Sequence, residues 1–222
     1  MKIVLRSVDK KIVGAIPQAI AADPIRGKPT SRPGLFLKDR IPRGTNFVKY
    51  ILLPKARITD FINCPSITNF YQFAISKKLH SIFINFNGLS FDYAPLEVID
   101  QNKNSHEYYL LNYTSELPYE VIDLPNSTIK ILDWKNQIYL DSDIDNYHDL
   151  IHKRGQVTSL TLNKDLISGL HHFVVPIMNR LIISDEFAEE LVKQSITGME
   201  VYDFDDKCDI SDANIRNLPR VI

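Results

Sequence analysis

Residues 181–204 read LIISDEFAEELVKQSITGMEVYDF, and their pattern decides the fold class. Leu181, Ile182 and Ile183 form a short apolar, partly β-branched run, which predicts a strand. Ser184 follows with a side-chain oxygen able to cap the free N–H groups of the next turn, so a helix starts there. Asp185 and Glu186 place negative charge at the positive end of that helix, Phe187, Ala188, Leu191 and Val192 make one apolar face, and Lys193 lies in the last turn. Gly198 closes the unit. Met199 to Phe204 then alternates as a strand with one wet face would. Strand, capped helix and strand in this order make a mixed α and β unit.

Working outward, Lys2–Leu5 predicts a first strand and Lys11–Ile16 a second. Asn46–Leu53 (NFVKYILL) predicts a buried strand. Ser66 is expected to cap a helix whose Ile67, Phe70, Tyr71, Ala74, Ile75 and Leu79 share one face, with Ile82–Phe86 following as a strand. That helix-then-strand order echoes 184–204. Glu107–Asn112 predicts another strand, as does Glu120–Leu124. Ile129–Leu132 and Gln137–Leu140 flank a four-residue hairpin turn carrying Trp134. Residues 141–169 are mixed and polar, as an insertion would be. Strands outnumber helices and several are joined by short turns, so the expected architecture is α+β, a mainly antiparallel sheet with packed helices at 67–79 and 185–195, in one domain.

A hydrophobic content of 44% with 24% charged residues in 222 residues is that of a globular protein with a sizeable core. The N-terminal MKIVLRSVDKKIVG lacks the continuous apolar region of a secretory signal, and no stretch approaches the length of a bilayer span. Two cysteines, Cys64 and Cys208, make no disulfide framework. A cytoplasmic location follows by default. The net charge of −1 hides a division, because residues 1–57 carry 13 Lys and Arg against Asp9, Asp23 and Asp39. Much of that excess falls in a Pro- and Gly-rich arm at 23–45, with Arg26, Lys28, Arg32 and Arg40 among its cations. Either this segment faces an acidic partner or nucleic acid, or the two halves neutralise each other within one fold.

Candidate chemistry fails on inspection of its spacing. Gly27-Lys28-Pro29-Thr30 resembles the end of a phosphate loop, but Ala22 stands where the first glycine belongs and Pro29 removes a donor. Asp141, Asp143 and Asp145 begin like a calcium loop, yet Asn146 replaces the required glycine and His152 the bidentate glutamate. His148 and His152 share a helix spacing without a third ligand, and His171 and His172 point to opposite sides of a strand, one packed and one wet. Cys208 lies among Asp205, Asp206 and Asp209, whose field disfavours a thiolate. No catalytic residue, metal or cofactor is therefore assigned, and a non-enzymatic binding protein is expected.

Two segments taken in order, Glu107–Ser127 and Leu181–Phe204, resemble the signature segments of a family of bacterial immunity proteins from polymorphic-toxin systems. The shared features are the aromatic-aromatic-Leu-Leu-Asn strand at Tyr108–Asn112, the acidic, Ser-containing run at Asp123–Ser127, the Ile-Ser-Asp-Glu-Phe helix start and Ile196-Thr197-Gly198. The resemblance covers about residues 46–205, leaving 1–45 as N-terminal strands and basic arm, joined in one unit to a 46–222 immunity-type domain. It implies a protein that neutralises a cognate toxin by protein contact. The runner-up is nucleic-acid binding by the basic segment, disfavoured because the arm offers only Phe36 as an aromatic. Homo-oligomerisation stays open. Acidic residues gather in two segments, Asp141, Asp143, Asp145 and Asp149, and Asp203, Asp205, Asp206, Asp209 and Asp212. These, Trp134 as an aromatic anchor, and the cations Arg26, Lys28, Arg32 and Arg40 are the expected partner-binding residues.

Overall fold

The computed structural model describes residues 1–22, 39–64, 72–133, 138–141, 144, 146–152, 156–159, 161–175, 180–204, 216 and 220–221. The N-terminal part contains β1 (Lys2–Arg6), α1 (Lys10–Val13), β2 (Ala19–Ala21), β3 (Tyr50–Leu52), β4 (Phe61–Ile62) and β5 (Gln72–Ser76). There follow α2 (Lys77–Asn85), β6 (Phe91–Ile99), β7 (Ser105–Tyr113), β8 (Thr128–Asp133), β9 (Ile138–Asp141), α3 (Tyr147–His152) and β10 (Gln156–Ser159). The chain then runs through β11 (His172–Val175), β12 (Arg180–Ile183), α4 (Asp185–Lys193) and β13 (Met199–Asp203). Strands pair in three sheets, ordered β11-β12-β1-β13, β10-β8-β9 and β2-β3-β6-β7-β5-β4. Every pairing is antiparallel except that of β3 with β6, so the fold is α+β and mainly antiparallel as expected. Among the described residues no helix is long and apolar enough to cross a membrane.

Three apolar clusters hold the sheets together. One face of the four-stranded sheet, with Ile3, Phe173 and Ile182, packs on Val121, Ile122 and Ile129 beside the three-stranded sheet. Its other face, with Val4, Leu181 and Val201, joins α2, α4 and the Phe61, Phe73 and Leu111 face of the six-stranded sheet. The reverse face of that large sheet buries Tyr50, Leu96, Leu110 and Cys64. Burying these side chains is the dominant stabilising term, at about 1.5–3 kcal/mol for each large aliphatic or aromatic group.

The predicted strand-helix-strand at 181–204 forms. Ser184 Oγ accepts from Phe187 N–H at 3.1 Å and begins α4, while Phe187, Ala188 and Leu191 are buried. Val192, expected on that face, is instead 47% exposed, because the apolar stripe faces Phe83 and the sheets only through the other three. β13 has no wet face at 199–202: both sides of its sheet are covered, so Met199 and Val201 enter one cluster and Tyr202 the other.

Elsewhere the structure corrects the reading. Residues 72–76 are the strand β5, not helix, and the helix begins one cap later, where Ser76 Oγ accepts from Leu79 N–H at 3.1 Å. Residues 65–71 lie outside the described residues. Ile82–Asn85, expected as a strand, continues α2. The cause is coverage: β5 is buried on both faces at Phe73, Ala74 and Ile75, and such a run carries no strand alternation. The expected helix-then-strand echo at 66–86 does not form; what 72–85 and 180–193 share is a strand, a serine cap and a nine-residue helix. Lys10–Val13 is a helical turn capped by Asp9, whose side chain accepts from Lys11 N–H, rather than a strand. Of 46–53 only Tyr50–Leu52 is strand, and 119–121 and 124–126 are 3₁₀ turns. The hairpin at 128–141 forms with Asp133 opposite Ile138, and Gln156–Ser159 from the supposed insertion completes its sheet.

Candidate functional site

β3 runs parallel to β6 but pairs with it only at Tyr50 with Val98 and Ile51 with Ile99. Upstream the two chains separate. Lys49 stays with the β2 side, its carbonyl accepting from Ala22 N–H at 2.7 Å, and residues 40–48 bend away. A wedge opens between this basic segment and Phe91–Glu97 of β6, enclosing a cavity of about 1380 Å³. Two polar ties span it. Lys49 Nζ reaches Glu97 Oε2 at 2.7 Å, and Ile41 N–H donates to Asp92 Oδ2 at 3.1 Å. Hydrogen bonds from Lys49 and then Ser105 hold the Glu97 carboxyl below its ordinary range.

The walls differ in charge. Arg40 and Arg43 stand exposed on the loop side, with no ion-pair partner among the described residues, while Asp92, Glu97 and Glu107 line the strand side. Tyr93 projects from the same edge and is 52% exposed, stacked edge-on to the His80 ring at 4.3 Å. On its other side His80 stacks on Tyr109, also at 4.3 Å, and burial lowers the imidazole pKa. Aromatic, cationic and main-chain groups thus converge on one concave surface.

Several other titratable groups lie outside the wedge lining. His172 is fully buried between the four- and six-stranded sheets, and burial drops its pKa to about 4. Its Nε2 lies 3.3 Å from Phe86 O and its Nδ1 2.7 Å from the Tyr113 hydroxyl. His171 is half-buried, its Nδ1 2.9 Å from Ser184 Oγ, so the expectation of one packed and one wetter histidine holds. Burial pushes the Cys64 thiol up to about 12, which removes it as a nucleophile near neutral pH. At the β6–β7 turn, His106 and Asn104 hold the Asp100 carboxyl down to about 2. Among the described residues no group of three or more His, Cys, Asp or Glu is placed to hold a metal.

Of the partner-binding residues expected from sequence, only Arg40 lines the wedge among the described residues. Asp203 is bound to Lys2, and Asp149 lies in α3 beside His148, its carboxylate 3.7 Å from Nδ1. Asp141 ends β9 opposite Lys130, with its side chain outside the described residues. Arg26, Lys28, Arg32, Trp134, Asp143, Asp145, Asp205, Asp206, Asp209 and Asp212 also lie outside the described residues. Sequence reasoning missed Lys49, Tyr93, Pro95 and Glu97, and counted Arg43 only as a cation of the basic arm. The available signal was Pro95 inside the alternating run FDYAPLEVI, since a proline in a strand marks a side without a ladder partner.

Among curated proteins none matches the chain. The model of the Imm11 immunity protein family matches residues 63–206, well over half of the 222, so this chain belongs to that immunity protein family.

Proposed function

We propose that the chain protects a bacterial cell by binding a cognate toxin domain in the cytoplasm and blocking it through protein contact, without catalysis. Membership of the immunity family carries this reading. Two features of the structure support it. Four groups with strongly displaced pKa values, Tyr113, Tyr108, Cys64 and His172, are sealed in the core, and burial is the leading cause of each shift. The accessible concave surface instead presents charge of both signs and exposed aromatic surface, which suits specific association.

The test is co-expression of the chain with each toxin domain encoded in its host's genome, in a bacterial indicator strain. One toxin should lose its growth inhibition and form a stable complex with the chain in gel filtration. Growth inhibition by every toxin tested, with no complex formed, would refute the proposal.

A further inference from the structure

We propose that the wedge beside β6 receives an extended segment of the toxin, which adds as a strand to the open edge of β6. This rests on the immunity function proposed above and names the surface that would serve it.

Direction follows from Pro95. β6 pairs with β7 without interruption from Phe91 opposite Tyr113 to Ile99 opposite Ser105, and Pro95 sits opposite Tyr109. Proline has no N–H to give a ladder, so Pro95 takes a position whose main-chain groups turn away from β7. Residues two along a strand turn the same way. The N–H groups of Tyr93 and Glu97 and the carbonyls of Tyr93 and Pro95 therefore point toward the wedge. β3 serves β6 only at Val98 and Ile99, so these groups have no paired strand among the described residues.

Such an edge repeats its donors and acceptors every two residues, about 7 Å apart, which is the spacing of another extended polypeptide. Natural sheets usually cover or charge an edge of this kind, and partners exploit it by strand addition. Here the edge lies within a cavity of about 1380 Å³, above the roughly 300–1,000 Å³ of small-molecule pockets and roomy enough for a short strand. Polarity selects the occupant further. Arg40 and Arg43 face across the gap without ion-pair partners among the described residues, so the incoming segment carries Asp or Glu on its loop-facing side.

The experiment uses the full chain and a catalytically inactivated form of the toxin domain against which it protects. Amide hydrogen exchange followed by NMR should slow at least tenfold at Tyr93 and Glu97 when the complex forms. Tyr93→Pro removes the wedge-facing N–H and should bind at least tenfold more weakly than Tyr93→Val, which loses the same ring but keeps that N–H. A complex that leaves both amides exchanging at their free rates overturns strand addition while leaving the immunity function intact. Binding by a folded Tyr93→Pro variant as tight as that of Tyr93→Val does the same, and if the proline variant fails to fold, the exchange data on the unaltered chain decide. Absence of a complex with any toxin refutes the underlying function, and this site with it.

Discussion

The Tyr113 hydroxyl and His172 Nδ1 meet 2.7 Å apart in the core that joins the four- and six-stranded sheets. His172 Nε2 faces the Phe86 carbonyl, which only accepts, so the proton is on Nε2 and Nδ1 accepts from the tyrosine. The neutral ring satisfies both partners, and a charged ring would leave the Tyr113 hydroxyl facing a donor. Its pKa is accordingly lowered from 6.5 to about 4, with burial as the leading cause. An unfolded chain takes up this proton near pH 6.5 and the folded chain does not, so the stabilisation is fully present above pH 6.5 and is lost as pH falls toward 4. We expect this group to lower stability by about 3 kcal/mol between pH 7 and pH 4, read by urea denaturation at those two pH values. Tyr113→Phe should cost about 1–3 kcal/mol at pH 7, because it leaves a buried acceptor unmet.

Gly198 has φ +92°, and a Cβ there would stand 2.2 Å from Phe61 O and 2.6 Å from Thr59 Oγ1. The glycine lies where β13 passes β4, with Ser7 N–H donating to its carbonyl and Phe61 N–H to that of Thr197. A side chain must therefore displace backbone that is tied to both sheets. Gly198→Ala should cost about 3 kcal/mol or more, whereas Gly44→Ala, at φ +79° but in open space, should cost about 1–2 kcal/mol. Thermal unfolding of the two variants side by side checks the difference.

Glu200 is the buried carboxylate of β13. It accepts from Ser7 Oγ at 3.1 Å, Val8 N–H at 2.9 Å and the Tyr202 hydroxyl at 2.8 Å, and pairs with Arg216. Glu200→Ala strands all four donors and should destabilise by about 3–5 kcal/mol. Glu200→Gln keeps an acceptor and should cost less, a ranking that denaturant midpoints at constant slope would verify.

The serine caps give a sharper check on where the helices begin. Ser76→Ala and Ser184→Ala should each cost about 1 kcal/mol, since each hydroxyl satisfies one free N–H of its helix. Ser76 Oγ also donates to Asp60 Oδ1 at 2.7 Å and Ser184 Oγ also meets His171 Nδ1 at 2.9 Å, so each variant loses a second bond and the two losses should be similar. A negligible loss in either variant would contradict its cap.

These same caps explain what the sequence made legible. Ser184 follows a run of only three apolar residues and precedes two acids, so strand, cap and helix separate cleanly. Around Ser76 the apolar residues continue on both sides, and a strand covered on both faces imitates a helix stripe at i, i+3 and i+4. β6 escaped for the opposite reason: Asp92, Tyr93, Pro95 and Glu97 lie on a partly open edge and look like loop. The wedge was hidden because its walls come from segments some fifty residues apart, brought together by a parallel pairing two residues long. Arg40 and Arg43 were legible only as cations of the basic arm, and of the two only Arg40 was expected to bind a partner.

Charge reversal separates the acidic and basic candidates. Asp203 is half-exposed and bound to Lys2, and it raises the Lys2 pKa, with Asp185 completing the group at 3.1 Å. Asp203→Lys puts two ammonium groups side by side and loosens the pairing of β1 with β13. Solvent screening limits the effect to about 1 kcal/mol of stability. Its association with the toxin should then proceed at the wild-type rate. Arg40 and Arg43 hold no such internal pair among the described residues, so Arg40→Glu with Arg43→Glu should leave the unfolding temperature within about 2 °C. At the wedge, however, this double reversal repels an acidic segment and should slow association about tenfold at low salt, with the gap closing as ionic strength rises. Stopped-flow binding at two salt concentrations, run beside thermal unfolding, reads both effects. An Asp203→Lys variant that keeps its unfolding temperature yet associates slowly would instead place the interface on β13, because only a charge facing the partner alters encounter without altering the fold.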